Sequence, residues 1–346
     1  MEYVKKTIAE NLGIIDPNKL VPENEQFSLD AVPDLSGKVA VVTGGSEGIG
    51  YGCTHTLLSH NISKLFILSP KKEIIDGALE ALRSEMGAGA ANKVKWLQCD
   101  LSNWKQTADV AFQITQETDR LDILINNAAR GIMTFQLADS NGIDLHMALN
   151  HMGHVVLTSH LLPLMKKTAS SPGTTVRICN MASNAHQGAP KDTRFESVAE
   201  LNTDLGPNPQ YGRSKLAAIL YSRYLARHLT AAHPNILANA VHPGVVKTRQ
   251  SEELIHEAYP LGGYMMSIGM APFKKDQFQG AVSMMYAATA IKESGCYVCP
   301  PAVKEPGSEM SQDEALGERL MKLTREVVME RTMGESKAKG CPFKDY

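Results

Sequence analysis

The 346-residue chain lacks a long hydrophobic run, since no stretch approaches the about 18 consecutive apolar residues that a membrane-spanning helix needs. It also lacks the apolar core of a secretory signal peptide, because its first six residues are Met-Glu-Tyr-Val-Lys-Lys. A membrane-spanning or secreted protein is therefore disfavoured. We expect a soluble, cytoplasmic protein without a transmembrane segment.

The chain has no excess of charge of either sign, with 35 Lys and Arg residues against 37 Asp and Glu residues and a net charge of −2. Its lysine pairs, at 71–72, 166–167 and 274–275, are too short to form a basic face. Because nucleic-acid binding depends on clustered cations at the phosphates, we expect no nucleic-acid partner.

Cysteine is scarce and dispersed, with six residues at positions 53, 99, 179, 296, 299 and 341. Reduced, buried thiols fit this spread better than a disulfide scaffold does. The Cys296-x-x-Cys299 spacing is that of a redox pair, but no second pair or nearby histidine supports a metal site. Histidines 146, 151 and 154 do not share one helix face, so we expect no metal.

Short apolar runs alternate with helical patterns along the chain, and 43% of its residues are hydrophobic. This alternation is typical of a parallel sheet covered on both faces by helices. We predict an α/β fold, a doubly wound Rossmann-type parallel sheet of six or seven strands in a single domain. The predicted strands are 39–43, 64–68, 94–98, 121–126, 175–180 and 237–241. The predicted helices are 49–58, 74–86, 104–117, 142–166, 211–228 and 313–330.

Composition divides the chain into three parts. Residues 1–36 are polar and interrupted by prolines, which indicates an N-terminal arm, and residues 37–300 carry the Rossmann-type domain. Within it, 249–280 contains a segment rich in methionine, glycine and proline, which we interpret as a lid over a lipophilic pocket. Residues 301–346 form a C-terminal extension, whose predicted helix has Leu316, Leu320, Leu323 and Val327 on one stripe.

A glycine-rich loop follows the first predicted strand, in the segment Thr43-Gly44-Gly45-Ser46-Glu47-Gly48-Ile49-Gly50, and a helix follows the loop. Glycines at such a turn let the backbone approach a dinucleotide pyrophosphate, whose charge then lies at the helix N-terminus. The context of strand, loop and helix predicts a dinucleotide-binding site.

Tyr211 and Lys215 lie four positions apart, so on a helix they share a face. An ammonium beside a phenol favours the charged phenolate, which would bring the pKa of Tyr211 down toward neutrality. Such a tyrosine can donate or accept a proton in catalysis. Chance also supplies this spacing, between a core tyrosine and a surface lysine, so the pair by itself does not establish a site.

Seven motifs occur in the order typical of the short-chain dehydrogenase/reductase family, and this resemblance extends from Lys38 to about Cys299. They are Thr43–Gly50, Cys99-Asp100-Leu101, Asn126-Asn127-Ala128-Ala129, Asn150-His-Met-Gly153-His, Ser183 in Asn180-Met-Ala-Ser183, Tyr211-x-x-x-Lys215 and His242-Pro243-Gly244-Val-Val-Lys-Thr248. The Asn-His-x-Gly-His segment and the Tyr-x-x-Ser-Lys form most resemble the retinol dehydrogenase and WW-domain oxidoreductase branch.

The resemblance implies a catalytic set of Asn150, Ser183, Tyr211 and Lys215. Tyr211 would protonate the substrate oxygen while Ser183 hydrogen-bonds it, and Lys215 would lower the pKa of Tyr211 and hold the nicotinamide ribose. Asn150 would anchor a water through its backbone. The expected cofactor contacts are Gly44, Ser46, Glu47, Gly48, Ile49, Gly50, Lys71, Lys72, Asp100, Leu101, Asn127, Ala128, Tyr211, Lys215, Pro243, Gly244, Val246 and Thr248.

The cofactor preference depends on the end of the second strand, where an NAD enzyme carries an acidic residue against the ribose hydroxyls. Here the sequence is Leu68-Ser69-Pro70-Lys71-Lys72. Lysines in place of an acid suit the 2′-phosphate of NADP(H), which we therefore prefer over NAD(H). Glu47 favours NAD(H), because NADP-preferring relatives often have a basic residue there.

We expect an NAD(P)H-dependent oxidoreductase, a ketone or aldehyde reductase or a secondary alcohol dehydrogenase, acting on a lipophilic small molecule. The hydride would come from the nicotinamide and the proton from Tyr211. Two alternatives stay open, a non-redox cyclase or isomerase on the same scaffold and a cofactor-sensing protein without catalysis. A homodimer is also among the expectations, because relatives often dimerise through the helices that begin here near residues 142 and 211.

Overall fold

A computed structural model of the chain describes residues 22, 26–246 and 275–338, the last six for their backbone only. Within these ranges eight strands form one sheet in the order β3-β2-β1-β4-β5-β6-β7-β8. Neighbouring strands are parallel except for the antiparallel pair β7 and β8. The strands are β1 Val39–Thr43, β2 Lys64–Ser69, β3 Val94–Gln98, β4 Ile123–Asn126, β5 Val176–Met181, β6 Ile236–Val241, β7 Tyr297–Cys299 and β8 Val303–Glu305.

The helices cover both faces of this sheet. Their bounds are α1 Gly48–Ser59, α2 Lys72–Met86, α3 Ala88–Ala91, α4 Trp104–Glu117, α5 Leu145–Met147 continued through a π-helical turn Ala148–Gly153 into His154–Ala169, α6 Val198–Leu201, α7 Pro207–Leu225 continued by a π-helical turn Ala226–Thr230, α8 Gln277–Thr289, α9 Glu309–Gln312 and α10 Glu314–Ala338. Short 3-10 helices span Leu29–Ala31 and Asn184–Gly188.

The core lies on both sides of the sheet, which explains why the central strands are continuous apolar runs. All five residues of β1 are buried. One cluster packs α4, α5, α7 and α10 against one face, and a second packs α1, α2 and α8 against the other. The doubly wound α/β fold predicted from the sequence is therefore confirmed.

The strand count exceeds the six or seven predicted. β7 and β8 have three residues each, too short to produce an apolar run or an alternation that a sequence pattern would show. β8 pairs with β7 through Tyr297 opposite Glu305, so the boundary predicted at residue 300 falls inside a two-stranded hairpin.

The predicted lid, 249–280, lies mostly outside the described residues. Its last four positions, Gln277 to Gly280, begin α8 instead, with Asp276 as a capping-box residue. α8 packs closely on α1, because a Cβ built on Gly52 would lie 2.5 Å from the carbonyl oxygen of Gln277. The lid stays a prediction, because most of its residues lie outside the described part of the chain.

The C-terminal helix α10 packs across α7, and its predicted apolar stripe is buried. Leu320 is fully buried, and Leu316, Leu323 and Val327 are at most 7% exposed. Each such side chain contributes about 1.5 to 3 kcal/mol when fully buried. Among the described residues, no helix is both long and apolar enough to span a membrane.

Candidate active site

The glycine-rich loop joins β1 to α1 at the carboxyl edge of the sheet. Gly44 and Gly48 have φ angles of 63° and 54°, which favour glycine. A Cβ built on Gly50 would lie 2.0 Å from the carbonyl oxygen of Gly44, so a side chain has no room there. Glu47, at the N-cap of α1, makes no side-chain cap hydrogen bond. This cradle fits the pyrophosphate of a dinucleotide, which the first amides of α1 would hold.

Thr43 fastens the loop to the chain that leaves β4. Its Oγ1 accepts hydrogen bonds from the backbone N–H groups of Asn127 and Ala128, at 2.9 Å each. The Asn127 amide donates to the carbonyl oxygens of Thr43 and Gly44 at 3.0 and 3.2 Å. Asn127 and Ala128 therefore hold the start of the glycine-rich loop in place. β1 and β4 are adjacent where the strand order reverses, the position at which doubly wound sheets bind ligands.

The ends of β2 and β3 flank this loop on one side. Gly44 donates its N–H to the Leu68 carbonyl at 2.7 Å, which brings the end of β2 to the loop. Lys71 is exposed at the N-cap of α2, whereas Lys72 pairs with Asp76 at 2.6 Å. Of the two lysines, Lys72 therefore already forms an ion pair with a side chain of its own helix.

The strand-end pair Asp100 and Leu101 lies beyond β3. Asp100 is exposed, and its Oδ1 accepts from the N–H and hydroxyl of Ser102 at 2.9 and 2.8 Å. Leu101 is buried, and a Cβ on Gly153 would lie 2.2 Å from its carbonyl oxygen. The glycine of the Asn-His-x-Gly-His segment is therefore needed for close packing of α5 on the end of β3.

The chain after β6 approaches the loop from the other side. Pro243 and Gly244, with φ 84° at the glycine, lead to Val246, which pairs with Lys275. A Cβ on Gly280 would lie 2.6 Å from Val246 and 3.2 Å from Ile49, so these side chains meet over the start of α1. Thr248 lies outside the described residues.

Ser183, Tyr211 and Lys215 converge beyond the carboxyl end of β5. Ser183 is the N-cap of the 3-10 helix Asn184–Gly188, and its Oγ accepts from the Ala185 N–H at 3.2 Å. Its hydroxyl also hydrogen-bonds Tyr211. Lys215 lies one turn further along α7, with Nζ 5.4 Å from the centre of the Tyr211 ring and 2.9 Å from the Met181 carbonyl oxygen.

The π-helical turn in α5 brings Asn150 to the same place. Its Nδ2 donates to Ser214 Oγ at 2.9 Å and to the Arg130 carbonyl at 3.0 Å, and its Oδ1 accepts the Arg130 N–H. Ser214 in turn donates to the Tyr211 carbonyl at 2.8 Å. π-helical turns often occur at functional sites. Here the turn links α5 to the helix that carries the tyrosine and lysine.

His154 was not predicted as a site residue, although it is the last residue of the Asn-His-x-Gly-His segment. Its Nδ1 is 3.2 Å from the Asn150 carbonyl oxygen, and its Nε2 is 2.9 Å from Thr43 Oγ1. A carbonyl only accepts, so Nδ1 carries the proton and Nε2 accepts from the Thr43 hydroxyl. Burial, with Lys215 nearby, lowers the pKa of His154 to about 4. The neutral ring ties the π-helical turn to the end of β1.

Desolvation dominates the electrostatics of the tyrosine and lysine. Burial raises the pKa of Tyr211 to about 12, although its hydrogen bond with Ser183 lowers it in part. Burial lowers the pKa of Lys215 to about 7. The shift of Tyr211 is opposite to the one predicted from the spacing of the pair, because burial penalises both charged forms. The phenol is therefore neutral at physiological pH and able to donate a proton.

The three histidines of the 146–154 segment point to different partners. His146 lies 2.9 Å from the Gly131 carbonyl, His151 lies 2.9 Å from Thr324 on α10, and His154 contacts Thr43. Within the described ranges, no group of three or more His, Cys, Asp or Glu side chains could hold a metal. Among the five described cysteines, which include Cys296 and Cys299, there is no disulfide bond.

Comparison with known proteins supports one family over most of the chain. Residues 38–191 match the model described as short chain dehydrogenase. An oxidoreductase of Neurospora crassa, bli-4, is 55% identical, and the alignment spans 100% of this chain and 84% of the relative. The polyprenol dehydrogenase of Danio rerio is 30% identical over 86% of this chain and 89% of its own length.

Solved structures share the fold. A structure from Mycobacterium paratuberculosis is 22% identical with a TM-score of 0.65, and covers 87% of this chain and 97% of that chain. The RhlG/NADP active-site complex of Pseudomonas aeruginosa is 26% identical with a TM-score of 0.54, and covers 74% of this chain and 91% of that chain.

The relative from Neurospora crassa also corrects the predicted location. Its name assigns that protein to mitochondria, and it aligns with the whole of this chain at 55% identity. The cytoplasmic location predicted from the sequence is therefore wrong. That prediction depended on the absence of a secretory signal and of a transmembrane run, and neither absence distinguishes the cytosol from an organelle.

Proposed function

This chain belongs to the short-chain dehydrogenase/reductase family, and from that premise we propose that it uses NADPH to reduce a ketone or aldehyde group of a lipophilic small molecule. That it is an oxidoreductase of C=O or CH–OH groups follows from the family. The observation that carries the finer proposal is the convergence of Ser183, Tyr211 and Lys215 beside the glycine-rich loop. Oxidation of a secondary alcohol is the reverse of the same reaction.

The division of roles follows from the contacts of each side chain. The bound nicotinamide supplies the hydride. Tyr211, whose pKa is raised to about 12, is protonated at physiological pH and donates a proton to the substrate oxygen. Ser183 donates a hydrogen bond to the same oxygen as negative charge develops there. In alcohol oxidation the same steps run in reverse, and the deprotonated Tyr211 accepts the proton.

Lys215 and Asn150 support the tyrosine. Lys215 is buried beside the Tyr211 ring. Because burial lowers its pKa to about 7, Lys215 is only partly protonated near pH 7 and can exchange a proton at physiological pH. Asn150 holds Ser214 and, through it, the Tyr211 carbonyl. We assign Asn150 to positioning of α7. Its own carbonyl oxygen accepts a hydrogen bond from His154, and we propose that the same carbonyl anchors a water.

Substitution of Tyr211 tests the proposed acid. Tyr211→Phe removes the proton donor and should lower kcat by at least about 100-fold, because general acid catalysis contributes roughly 10²- to 10⁴-fold. NADPH binding, measured by fluorescence titration, should change little. Tyr224→Phe on the same helix is the matched control, since Tyr224 contacts Arg325 and His228, remote from the loop. Retained turnover in Tyr211→Phe would refute the proposed role.

The preference for NADP(H) is supported by the end of β2, where Ser69 and Lys71 stand in place of an acid. Lys71 is exposed at the start of α2, and an ionic hydrogen bond to a 2′-phosphate is worth about 1.5 to 3 kcal/mol. Lys71→Glu should therefore raise KM for NADPH by about 10- to 100-fold and leave KM for NADH nearly unchanged. The exposed Lys322→Glu on α10 is the control. A wild-type preference for NADH would contradict the proposal.

The lipophilic substrate class is supported by the name of the relative from Danio rerio, a dehydrogenase of polyprenol. NADPH oxidation should be screened with long-chain isoprenoid, aromatic and steroidal carbonyl compounds, with small hydrophilic carbonyls as the control. Higher kcat/KM for the hydrophilic set would contradict the assignment. Product formation without NADPH consumption would indicate the non-redox alternative.

A further inference from the structure

His186 lies three residues after Ser183 in the 3-10 helix Asn184–Gly188, and only 1% of it is exposed. Its ring makes two hydrogen bonds to the backbone. Nδ1 is 2.7 Å from the Ser183 carbonyl oxygen, and Nε2 is 3.1 Å from the Ser308 nitrogen. The ring therefore bridges the serine of the candidate site and the chain that follows β8.

Both bonds define one tautomer of this ring. A backbone carbonyl only accepts and a backbone N–H only donates, so Nδ1 carries the proton and Nε2 is the acceptor. Burial lowers the pKa of His186, and Arg223 on α7 lowers it further, while the bond to Ser183 raises it. His242, directly after β6, also faces the ring. So does the edge-on Tyr297 ring on β7, whose centroid lies 5.2 Å from that of His186. The ring is thus held neutral.

The far end of the bridge is firmly attached. Ser308 is the N-cap of α9, and a Cβ on Gly307 would lie 2.5 Å from Ser311 Oγ. Arg223 of α7 donates to the Pro306 carbonyl at 2.7 Å and also to the Ser311 carbonyl. The segment 306–311 is therefore anchored on the helix that carries Tyr211 and Lys215.

We propose that His186 is a positioning residue for the reaction, which holds the Ser183 carbonyl and so aims the Ser183 hydroxyl at the substrate oxygen. The inference rests on the proposed function, because it assumes that this hydroxyl acts in catalysis. Without the Nδ1–H donor, the peptide between Ser183 and Asn184 loses its shortest hydrogen bond and is held less tightly. It keeps two longer ones, from the His186 N–H to the Ser183 carbonyl at 3.1 Å and from the Asn184 N–H to His242 Nδ1 at 3.3 Å. A displacement of about 1 Å at a reacting group can cost about 100-fold in rate.

Three variants separate the two hydrogen bonds. In His186→Asn, the side-chain N–H can take the place of Nδ1–H and keep the bond to Ser183. In His186→Gln, the amide oxygen reaches toward the place of Nε2 and keeps the bond to Ser308. His186→Phe keeps the ring and loses both bonds. We expect kcat to fall by about 10- to 100-fold in His186→Phe and His186→Gln and by less than about 5-fold in His186→Asn, since the bond to Ser183 is the one that orients the hydroxyl.

Two readouts distinguish positioning from general loss of structure. KM for NADPH should stay within about twofold in all three variants, because His186 is not among the proposed cofactor contacts. His160→Phe is the matched control, a buried histidine on α5 whose Nδ1 bonds to the Val156 carbonyl at 2.9 Å. If His186→Phe does not fold, the kcat values of His186→Asn and His186→Gln are compared instead. A lower kcat in His186→Asn than in His186→Gln would overturn the inference.

Combination with Ser183→Ala locates the effect. If His186 acts through the Ser183 hydroxyl, His186→Phe should lower kcat in the wild type and cause no further loss in the Ser183→Ala background. The same fold loss in both backgrounds would show that His186 does not act through Ser183. Full activity of Ser183→Ala alone would instead refute the role of Ser183 in the proposed function, a different outcome from the first.

Discussion

Substitution of Lys215 by methionine should stabilise the protein at low pH although it inactivates the site. Lys215 is 2% exposed, and its Nζ donates to the Met181 carbonyl at 2.9 Å. Burial lowers the pKa of this ammonium from 10.5 to about 7. The folded protein therefore binds this proton more weakly than the unfolded chain does, and folding is penalised wherever the unfolded chain is protonated.

The size and sign of the effect follow from linkage. Below pH 7 both states are protonated and the penalty is fully present. Between about pH 7 and 10.5 the unfolded chain binds more protons than the folded one, so this group makes stability rise with pH by about 1.4 kcal/mol per pH unit. The penalty at pH 6 is therefore larger than at pH 10 by about 4 kcal/mol. Loss of the bond to Met181 adds a cost of about 1 to 3 kcal/mol that does not vary with pH.

Urea unfolding of wild type and Lys215→Met at pH 6 and pH 10 measures this directly. The stability of Lys215→Met relative to wild type should be greater at pH 6 than at pH 10 by about 4 kcal/mol, since other titrating groups cancel between the two proteins. Lys322→Met, exposed on α10, is the control and should show no such change with pH. A difference that stays constant, or grows toward pH 10, would refute the assignment of a desolvated ammonium. The kcat of Lys215→Met should fall by orders of magnitude in the same preparation. A gain in stability with a loss of activity is expected where a catalytic group is buried at a cost to the fold.

Two further predictions concern the packing of the site, at Gly50 and at Arg213, and Gly77→Ala is the control for the first. Gly50→Ala should raise the KM for NADPH at least about 10-fold and destabilise the fold by about 1 to 3 kcal/mol, because its Cβ would lie 2.0 Å from the Gly44 carbonyl oxygen. An unchanged KM for NADPH would contradict this prediction. Gly77→Ala, exposed on α2 with no neighbour near its Cβ, should instead stabilise by about 0.5 to 1 kcal/mol in the same unfolding assay. Arg213→Met should lower the free energy of unfolding by about 3 to 5 kcal/mol, since it leaves the fully buried Asp144 without the cation 3.5 Å away; a change under about 1 kcal/mol would show that this pair is dispensable.

The main elements of the fold were accessible from the sequence because the central strands are buried on both faces. β1, β3 and α4 have the predicted bounds, and the remaining parallel strands through β6 differ by a few residues at most. β7 and β8 were missed as strands, since three residues at the edge of a sheet carry no periodic signal. α8 begins within the segment predicted as a lid, and its Gly280 packs closely on Val246 and Ile49, an approach that the sequence pattern does not show.

The histidines of the site show where sequence reasoning ends. His154 and His186 both lie within or beside the recognised motifs, yet their partners, Thr43 and Ser308, are 111 and 122 residues away along the chain. Local spacing cannot predict such pairs. Their tautomers follow only from which backbone groups the rings meet.

The sequence by itself determined the family, the alternation of strands and helices, the position of the glycine-rich loop and the shared face of Tyr211 and Lys215. These properties depend on residue type and on spacing along the chain, which the printed sequence contains. Only the tertiary structure decided the direction in which the pKa of each member of that pair is shifted. Burial raises the pKa of Tyr211 and lowers that of Lys215, because desolvation depends on every group that surrounds a side chain, and most of those groups are distant in sequence.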